Sequence, residues 1–317
     1  MSDGLFGLSD QSHRLPVLSL PNKTHDMATV EKKTALITGC SADGIGWAMA
    51  KQFHQRGYYV FATARDPSKA TTLSYLSDME ILELDVTVPS TIDRCKQIVT
   101  KRTGGTLDIL VNNAGIETNS PLLDTSIAAA KELYDVNVWG PLAMVQAFAP
   151  LLIAAQGVVF NQSSIDSALN MVWAGVFASS KSALARLSET MRVELEPLGV
   201  RVVTSICGSA GTPMFGKPGG PMVLPEASFY RGVEEAAWKE RMDHRRQATD
   251  VDVLAGQLVR DLVGGARGVV WRGAFASLVK WASWLNITWV VDKMINSSRG
   301  LRLVKRCQED GSCGTFG

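Results

Sequence analysis

Ser164, Phe177 and Lys181 stand in one stretch, SIDSALNMVWAGVFASSK, with thirteen positions from the serine to the aromatic residue and four more to the lysine. Phe177 and Lys181 lie in the run GVFASSKSALARLSETMRVEL, whose apolar residues recur at helical spacing, so the two side chains share one helix face. A serine hydroxyl can hydrogen-bond a substrate oxygen and a lysine can hold positive charge beside it, but a phenyl ring neither gives nor takes a proton. Asp166, two residues after Ser164, is the nearby group that titrates; it also fits a helix cap or a loop carboxylate.

A second chemical feature lies upstream. The turn TGCSADGIG, Thr38 to Gly46, follows the apolar run TALIT and precedes WAMAKQFHQRG, which has the pattern of an amphipathic helix. A glycine turn between a strand and a helix lets backbone approach a pyrophosphate, whose charge is then met by unpaired N–H groups at the helix start.

The elements that must position these groups alternate along the chain. YYVFATA (Tyr58 to Ala64), EILELDV (Glu80 to Val86), LDILVNNAG (Leu107 to Gly115), GVVFNQSS (Gly157 to Ser164), VRVVTSIC (Val200 to Cys207) and VVWRG (Val269 to Gly273) read as strands with helical patterns between them. That order predicts an α/β fold, a Rossmann-type doubly wound parallel sheet. Ile127 to Leu152 reads as one long helix with Pro141 inside it. After Thr212, PMFGKPGGPMVLPEASFY holds four prolines and three glycines, too many breakers for regular structure, and predicts a covering substrate loop. The expected organisation is a loose extension over residues 1–30, one cofactor-binding catalytic unit over 31–274 with a substrate lid at 213–250, and an apolar helical segment and tail over 275–317.

Composition narrows the partners. A chain of 317 residues with 46% hydrophobic content can bury one large core. A net charge of +1 without a basic stripe argues against nucleic acid and for a small molecule. The five cysteines (Cys40, Cys95, Cys207, Cys307 and Cys313) and four histidines match no metal motif, so no metal is expected. The cysteines read as reduced thiols of an intracellular protein, and the first thirty residues lack the basic start and apolar core of a secretory signal.

Taken together and in order, the glycine turn, ATARDPSK, LDV, LVNNAG, DVNVWGPL, the Ser164 to Lys181 segment and PLGVRVV resemble the short-chain dehydrogenase/reductase family, from about Lys33 to Thr212. The turn has one residue more between Gly39 and Gly44 than is usual, which resembles the fungal acyl-dihydroxyacetone-phosphate reductase-like subgroup related to 17β-hydroxysteroid dehydrogenases. The resemblance implies hydride transfer between a nicotinamide cofactor and a carbonyl or secondary alcohol. Ser164 would bind the substrate oxygen, Lys181 would bind the nicotinamide ribose and place a positive charge near the reacting oxygen, and Asn137 would relay water to Lys181. Phe177 stands where the family has its catalytic tyrosine. For the cofactor, the resemblance implies Gly39, Ser41, Gly44, Ile45 and Gly46 at the pyrophosphate turn, Asp85 and Val86 at the adenine, Asn112, Ala114 and Gly115 along the middle, and Ala210 and Thr212 near the carboxamide or pyrophosphate. Arg65, just past the second strand, favours NADP(H), because a 2′-phosphate needs a cation; Asp66 beside it argues the other way.

The expected function is therefore an NADP(H)-dependent reductase or alcohol dehydrogenase in an inactivated Tyr-to-Phe form. The alternatives are a non-redox enzyme on this fold (isomerisation, dehydration or cyclisation) and a silent NADP(H)-sensing protein. Met214, Phe215, Met222, Leu224, Phe229 and Tyr230, with Trp139 and Trp173, point to an apolar lipid-, terpenoid- or polyketide-like substrate of the kind met in secondary metabolism, or else to plain core. Phe275 to Ile295 is apolar and rich in Trp but interrupted by Lys280 and Asp292. It is expected to pack on the core or on a second subunit of a homo-oligomer, with a membrane interface as the minority reading. The expected location is the cytoplasm or the surface of an internal membrane.

Overall fold

The computed structural model describes residues 31–213, 222–297 and 299–304. The expected extension over 1–30, the loop residues Met214 and Phe215, and Cys307 and Cys313 lie outside them.

Seven short strands form one sheet: β1 (Thr34–Ile37), β2 (Tyr59–Ala64), β3 (Met79–Glu83), β4 (Ile109–Asn112), β5 (Val158–Ser164), β6 (Arg201–Cys207) and β7 (Gly268–Arg272). Their order is β3-β2-β1-β4-β5-β6-β7, and every pair is parallel. Parallel strands need crossover helices, which cover both faces, so the inner strands are buried on both sides and read as unbroken apolar runs. In β1 the two-residue period is visible. Ala35 and Ile37 join the core under α1 (Ile45–His54) and α7 (Val251–Val263), while Leu36 joins the core under α2 (Pro89–Thr103) and α4 (Gly140–Ala155). Because the chain leaves β1 for one edge and β4 for the other, a crevice opens at the carboxyl ends of these neighbours, the place where open α/β sheets bind ligands.

The long helix expected from Ile127 to Leu152 is built in three pieces. These are α3 (Ile127–Tyr134), a π turn over Asp135–Trp139, and α4. The π turn widens the helix just before Pro141, which has no N–H to give, and its centre is Asn137. The run is apolar enough and long enough to cross a membrane, yet Met144, Phe148, Leu151 and Leu152 are spent on the sheet. After it come β5 and then α5 (Gly175–Leu195), which carries Phe177 and Lys181.

Within the segment expected as a substrate lid, 213–250, α6 spans Glu234–Arg246. The breakers end before it, and its first turn carries Glu234 and Glu235, which suit the positive end of a helix dipole. Beyond β7, α8 (Ala276–Trp284) and α9 (Thr288–Asn296) follow. Ala276, Val279, Ala282 and Val291 pack on Ile165, Leu169 and Ile206, so one face of the C-terminal segment is core.

The end of β6 is held by a backbone approach. Gly208 N–H donates to the Arg272 carbonyl at 2.8 Å, and a Cβ on Gly208 would stand 1.8 Å from the Ala274 carbonyl oxygen. Gly208→Ala is expected to cost about 3 kcal/mol, because backbone rather than a flexible side chain must move. Gly211→Ala, whose Cβ would meet the Thr249 carbonyl at 3.7 Å, is expected to stay within about 0.5 kcal/mol. Chemical denaturation of the two variants checks this; equal stabilities would show that the connection after β6 yields freely.

Candidate active site

A cavity of about 730 Å³ extends along the carboxyl edge of the sheet, from the glycine turn to α8 and α9. At its first end Gly39, Ser41, Gly44 and Ile45 form the wall, as the spacing predicts. Gly46 does not. It is buried, and a Cβ there would lie 2.4 Å from Asn113 Nδ2, so this glycine serves close packing of α1 on the sheet. The N-terminus of α1 has no side-chain cap and no acidic residue in its first turn. Its N–H groups are therefore left for an anion.

Arg65 lines the cavity just past β2, is exposed, and makes no ion pair among the described residues. Asp66 lines the same wall, 3.9 Å from the Lys69 ammonium, and is engaged locally. Its carboxylate caps the 3₁₀ turn Pro67–Leu73, accepting from Ser68 N at 3.0 Å and Ser68 Oγ at 2.6 Å, and these bonds hold its pKa below the ordinary value. Lys69 adds a second cation to the same wall, missed in the sequence because only its place in the 3₁₀ turn brings it there. Asp85 and Val86 follow β3 onto the wall, where the Asp85 carboxylate accepts from Thr87 N and Oγ1 at 2.9 and 2.7 Å.

In VNNAG the expected asparagine is corrected by one position. Asn112 is buried off the cavity, donating to Asn161 Oδ1 at 2.9 Å. Asn113 faces the cavity and donates to the Thr38 and Gly39 carbonyls at 2.8 and 3.1 Å, which ties the glycine turn to the end of β4. Two-residue alternation is the signal that separates them, since neighbours on a strand point to opposite faces. Ala114 and Gly115 line the cavity, as do Ala210 and Thr212 after β6.

Asn137 is also off the cavity wall, held in the interior close to Lys181. It is fully buried, accepts from Ile116 N at 2.9 Å, and donates to the Ile116 carbonyl at 2.9 Å and Ser180 Oγ at 3.1 Å. It clamps the loop after β4 to α5. A Cβ on Gly115 would meet both Asn137 Oδ1 and Lys181 Nζ, at 3.3 and 3.5 Å, so the two side chains converge on one backbone spot.

Ser164, Phe177 and Lys181 come together on the cavity wall. Ser164 ends β5 and caps the following 3₁₀ turn, accepting from Asp166 N at 3.2 Å. Lys181 is 5% exposed and its Nζ donates to the Gln162 carbonyl at 2.9 Å, while Ser163 Oγ donates to the Lys181 carbonyl at 2.8 Å. The ammonium lies 5.7 Å from the centre of the Phe177 ring.

The far end is apolar with charged posts. Met171, Trp173, Phe275, Leu278, Val279 and Met294 supply carbon, and two ion pairs stand among them. Arg241 of α6 holds Glu117 with two bonds of 2.6 and 3.1 Å, and Arg299 holds Glu240 of α6 at 2.8 Å. Several expected substrate contacts are corrected. Trp139 is 51% exposed in a separate groove beside Asp135 and Gln146, and Phe229 is 46% exposed. Met222, Leu224 and Tyr230 pack in the outer cluster around Trp173 and Val233, without reaching the cavity. Of those expected residues that the structure describes, only Trp173 lines it.

With this geometry in place, the comparisons with known proteins are consistent. The family model described as short chain dehydrogenase matches residues 33–219. The short-chain dehydrogenase cctT of Talaromyces islandicus is 48% identical over 78% of this chain and 88% of its own. The NADPH-dependent 1-acyldihydroxyacetone phosphate reductase of Schizosaccharomyces pombe is 34% identical over 83% of this chain and 90% of its own. Among solved structures, a short-chain dehydrogenase from Streptomyces avermitilis superposes with a TM-score of 0.70 at 25% identity, covering 86% of this chain and 99% of its own. The chain belongs to the short-chain dehydrogenase family.

The electrostatics of this short-chain dehydrogenase divide its carboxyls. Glu117 has Arg241, whereas Asp166 has no ion pair among the described residues. Burial is the main force on the Asp166 carboxyl, and Glu117 adds repulsion. Together they push its pKa up to about 6 against the opposing pull of Arg299, a hydrogen bond to Ser164, and Lys181. Burial likewise brings Lys181 down to about 8, resisted by Cys207 and Asp166. A carboxyl whose pKa is raised on folding favours the folded state only while it is protonated. Its contribution is complete below the ordinary carboxylate range and is lost as pH rises through about 6. Asp166→Asn is therefore expected to gain stability on the parent above pH 6, by about 2 kcal/mol, and to match it near pH 4. Urea unfolding across this range measures it; a difference that does not change with pH would mean that Asp166 is as ionisable folded as unfolded.

Proposed function

We propose that this short-chain dehydrogenase is an NADP(H)-dependent oxidoreductase for the carbonyl or secondary alcohol of an apolar substrate, in which Phe177 has removed the positioned proton donor. The observation that carries the reading is the single cavity that joins Arg65, the uncapped start of α1, Lys181 with Ser164, and an apolar far wall.

The residues fit the cofactor. The α1 N-terminus and the Gly39 to Ile45 backbone would take the pyrophosphate. Arg65, Lys69 and Ser41 would take a 2′-phosphate, with Asp66 occupied by its cap. Asn113, Ala114 and Gly115 would line the middle, and Lys181 the nicotinamide ribose. The similarity to a protein named as NADPH-dependent supports the same choice. When bound, the nicotinamide supplies or accepts the hydride. The Ser164 hydroxyl donates to the substrate oxygen, and the Lys181 ammonium stabilises negative charge building there. At Phe177 only C–H bonds face that oxygen. A positioned acid is typically worth about 10²- to 10⁴-fold, so the expected reaction is slowed by that order rather than redirected.

NADPH is expected to bind more than about tenfold tighter than NADH, a preference that Arg65→Ala should abolish, since one phosphate–cation contact is worth on the order of 1–3 kcal/mol. Fluorescence titration of both cofactors decides; equal affinities in the parent would make Arg65 a solvated surface charge.

A second reading draws on Asp166, an acid with no ion pair among the described residues, its pKa pushed up to about 6, on the wall beside Ser164. On that reading the chain performs proton chemistry without net redox, and Asp166 is its acid. One comparison separates the two. In the redox reading, Phe177→Tyr raises NADPH consumption with a panel of apolar ketones by roughly 10²-fold or more while cofactor affinity stays level. In the non-redox reading Phe177→Tyr does nothing, and Asp166→Asn abolishes a turnover that consumes no NADPH.

A further inference from the structure

The two C-terminal helices bury one face and leave the other bare. Opposite Ala276, Val279 and Ala282, the side chains of Leu278, Trp281, Trp284, Leu285, Trp289 and Met294 are 50, 59, 74, 54, 64 and 65% exposed. Trp281 and Trp284 meet edge to face with ring centres 5.7 Å apart. This much exposed apolar and aromatic surface on two successive helices is uncommon on a chain that stays in water alone. Leu278 and Met294 also line the cavity, so the bare face borders the cavity's apolar end.

Charge selects what covers it. Among the described residues from 276 to 304, the exposed charged side chains are Lys280, Lys293 and Arg302, all cations. The one acid among these described residues, Asp292, is half-buried and tied at the surface by Asn170, whose N and Nδ2 donate to it at 2.9 and 2.6 Å, so the three exposed cations outnumber it. Arg299 is buried against Glu240. A second copy placed on this face by two-fold symmetry would set cations against cations. An anionic lipid surface meets both the cations and the indoles, which favour the headgroup level. Each helix has nine residues, far short of the roughly 20 needed to span a bilayer, so the pair would lie in the plane of the interface.

We propose that α8 and α9 dock this protein onto an anionic membrane surface and that the cavity takes its apolar substrate from the bilayer between Leu278 and Met294. The substrate part rests on the function proposed above; the docking part does not. The experiment is flotation of the full chain with unilamellar vesicles of phosphatidylcholine, alone or with roughly a third phosphatidylserine. The parent is expected to float with the anionic vesicles at least tenfold more than with the neutral ones. The triple variant Trp281→Ser, Trp284→Ser, Trp289→Ser should lose most of that binding, and Lys280→Glu with Lys293→Glu should lose the preference for anionic lipid while keeping the tryptophans. All these side chains are exposed, and NADPH titration of each preparation reports whether the fold is intact. A parent that stays in the soluble fraction with both vesicles overturns docking, as does a triple variant that floats like the parent. A mass that falls from dimer to monomer in the triple variant assigns the face to a second copy and overturns it too. NADPH binding that persists in a chain that does not float sinks the lipid proposal alone; absent NADPH binding in a chain that floats sinks the cofactor reading alone.

Discussion

A lysine ammonium held beneath the carboxyl edge of the sheet is the constraint on which this architecture depends. Lys181 is nearly inaccessible, and its named hydrogen bond is to one backbone carbonyl, that of Gln162. A buried charge is expensive unless its surroundings are fixed to receive it. The surroundings here are fixed by polar ties between β5, α5 and their neighbours. Ser163 binds the Lys181 carbonyl, Asn137 binds Ser180, Asn161 binds Ser188, and Thr204 binds the same Ser188 at 2.7 Å. Each tie is worth only about 1 kcal/mol net, but together they leave the helix one register against the sheet. The π turn belongs to the same device, because it brings Asn137 to the loop after β4 and to α5 at once.

Phe177 sits inside this frame without disturbing it. Its ring is 8% exposed, and no hydroxyl needs a partner. The nearby ammonium faces a ring, a contact that is modestly favourable where water is excluded. The site thus keeps its cation and its hydroxyl with a ring that carries no proton to give. On the redox reading proposed above, the cost of Phe177 falls on chemistry and not on folding, because helix packing depends on ring volume, which a tyrosine would share.

The far end of the cavity is arranged by a different principle. Glu117 with Arg241 and Glu240 with Arg299 are opposite charges brought together where water is scarce, each cancelling the other's field over the apolar wall. Removing one partner of such a pair strands the other, which costs more than the pair contributes. These pairs tie α6, the loop after β4 and the chain beyond α9 across the same space. Helix α6 is therefore anchored by charge as well as by the apolar cluster of Trp173, Val233 and Ala237.

Spacing along the chain was enough for everything that repeats locally. Alternating strands and helices implied a parallel sheet, the turn from Thr38 to Gly46 implied a glycine connection between a strand and a helix, and the interval between Phe177 and Lys181 put both side chains on one helix face. These survive in three dimensions because a strand's period of two and a helix's period of 3.6 are properties of backbone geometry. What tertiary structure decided is which face each residue finally meets. Asn113 rather than Asn112 reaches the cavity, and Asn137 ties the loop after β4 to α5. Trp139 points into another groove while Trp173 stays, and the apolar wall comes from Leu278, Val279 and Met294, a hundred residues from the serine. A cavity wall is assembled from segments distant in sequence, and the face of a helix that is buried depends on the neighbour that packs against it, which no spacing within the helix encodes.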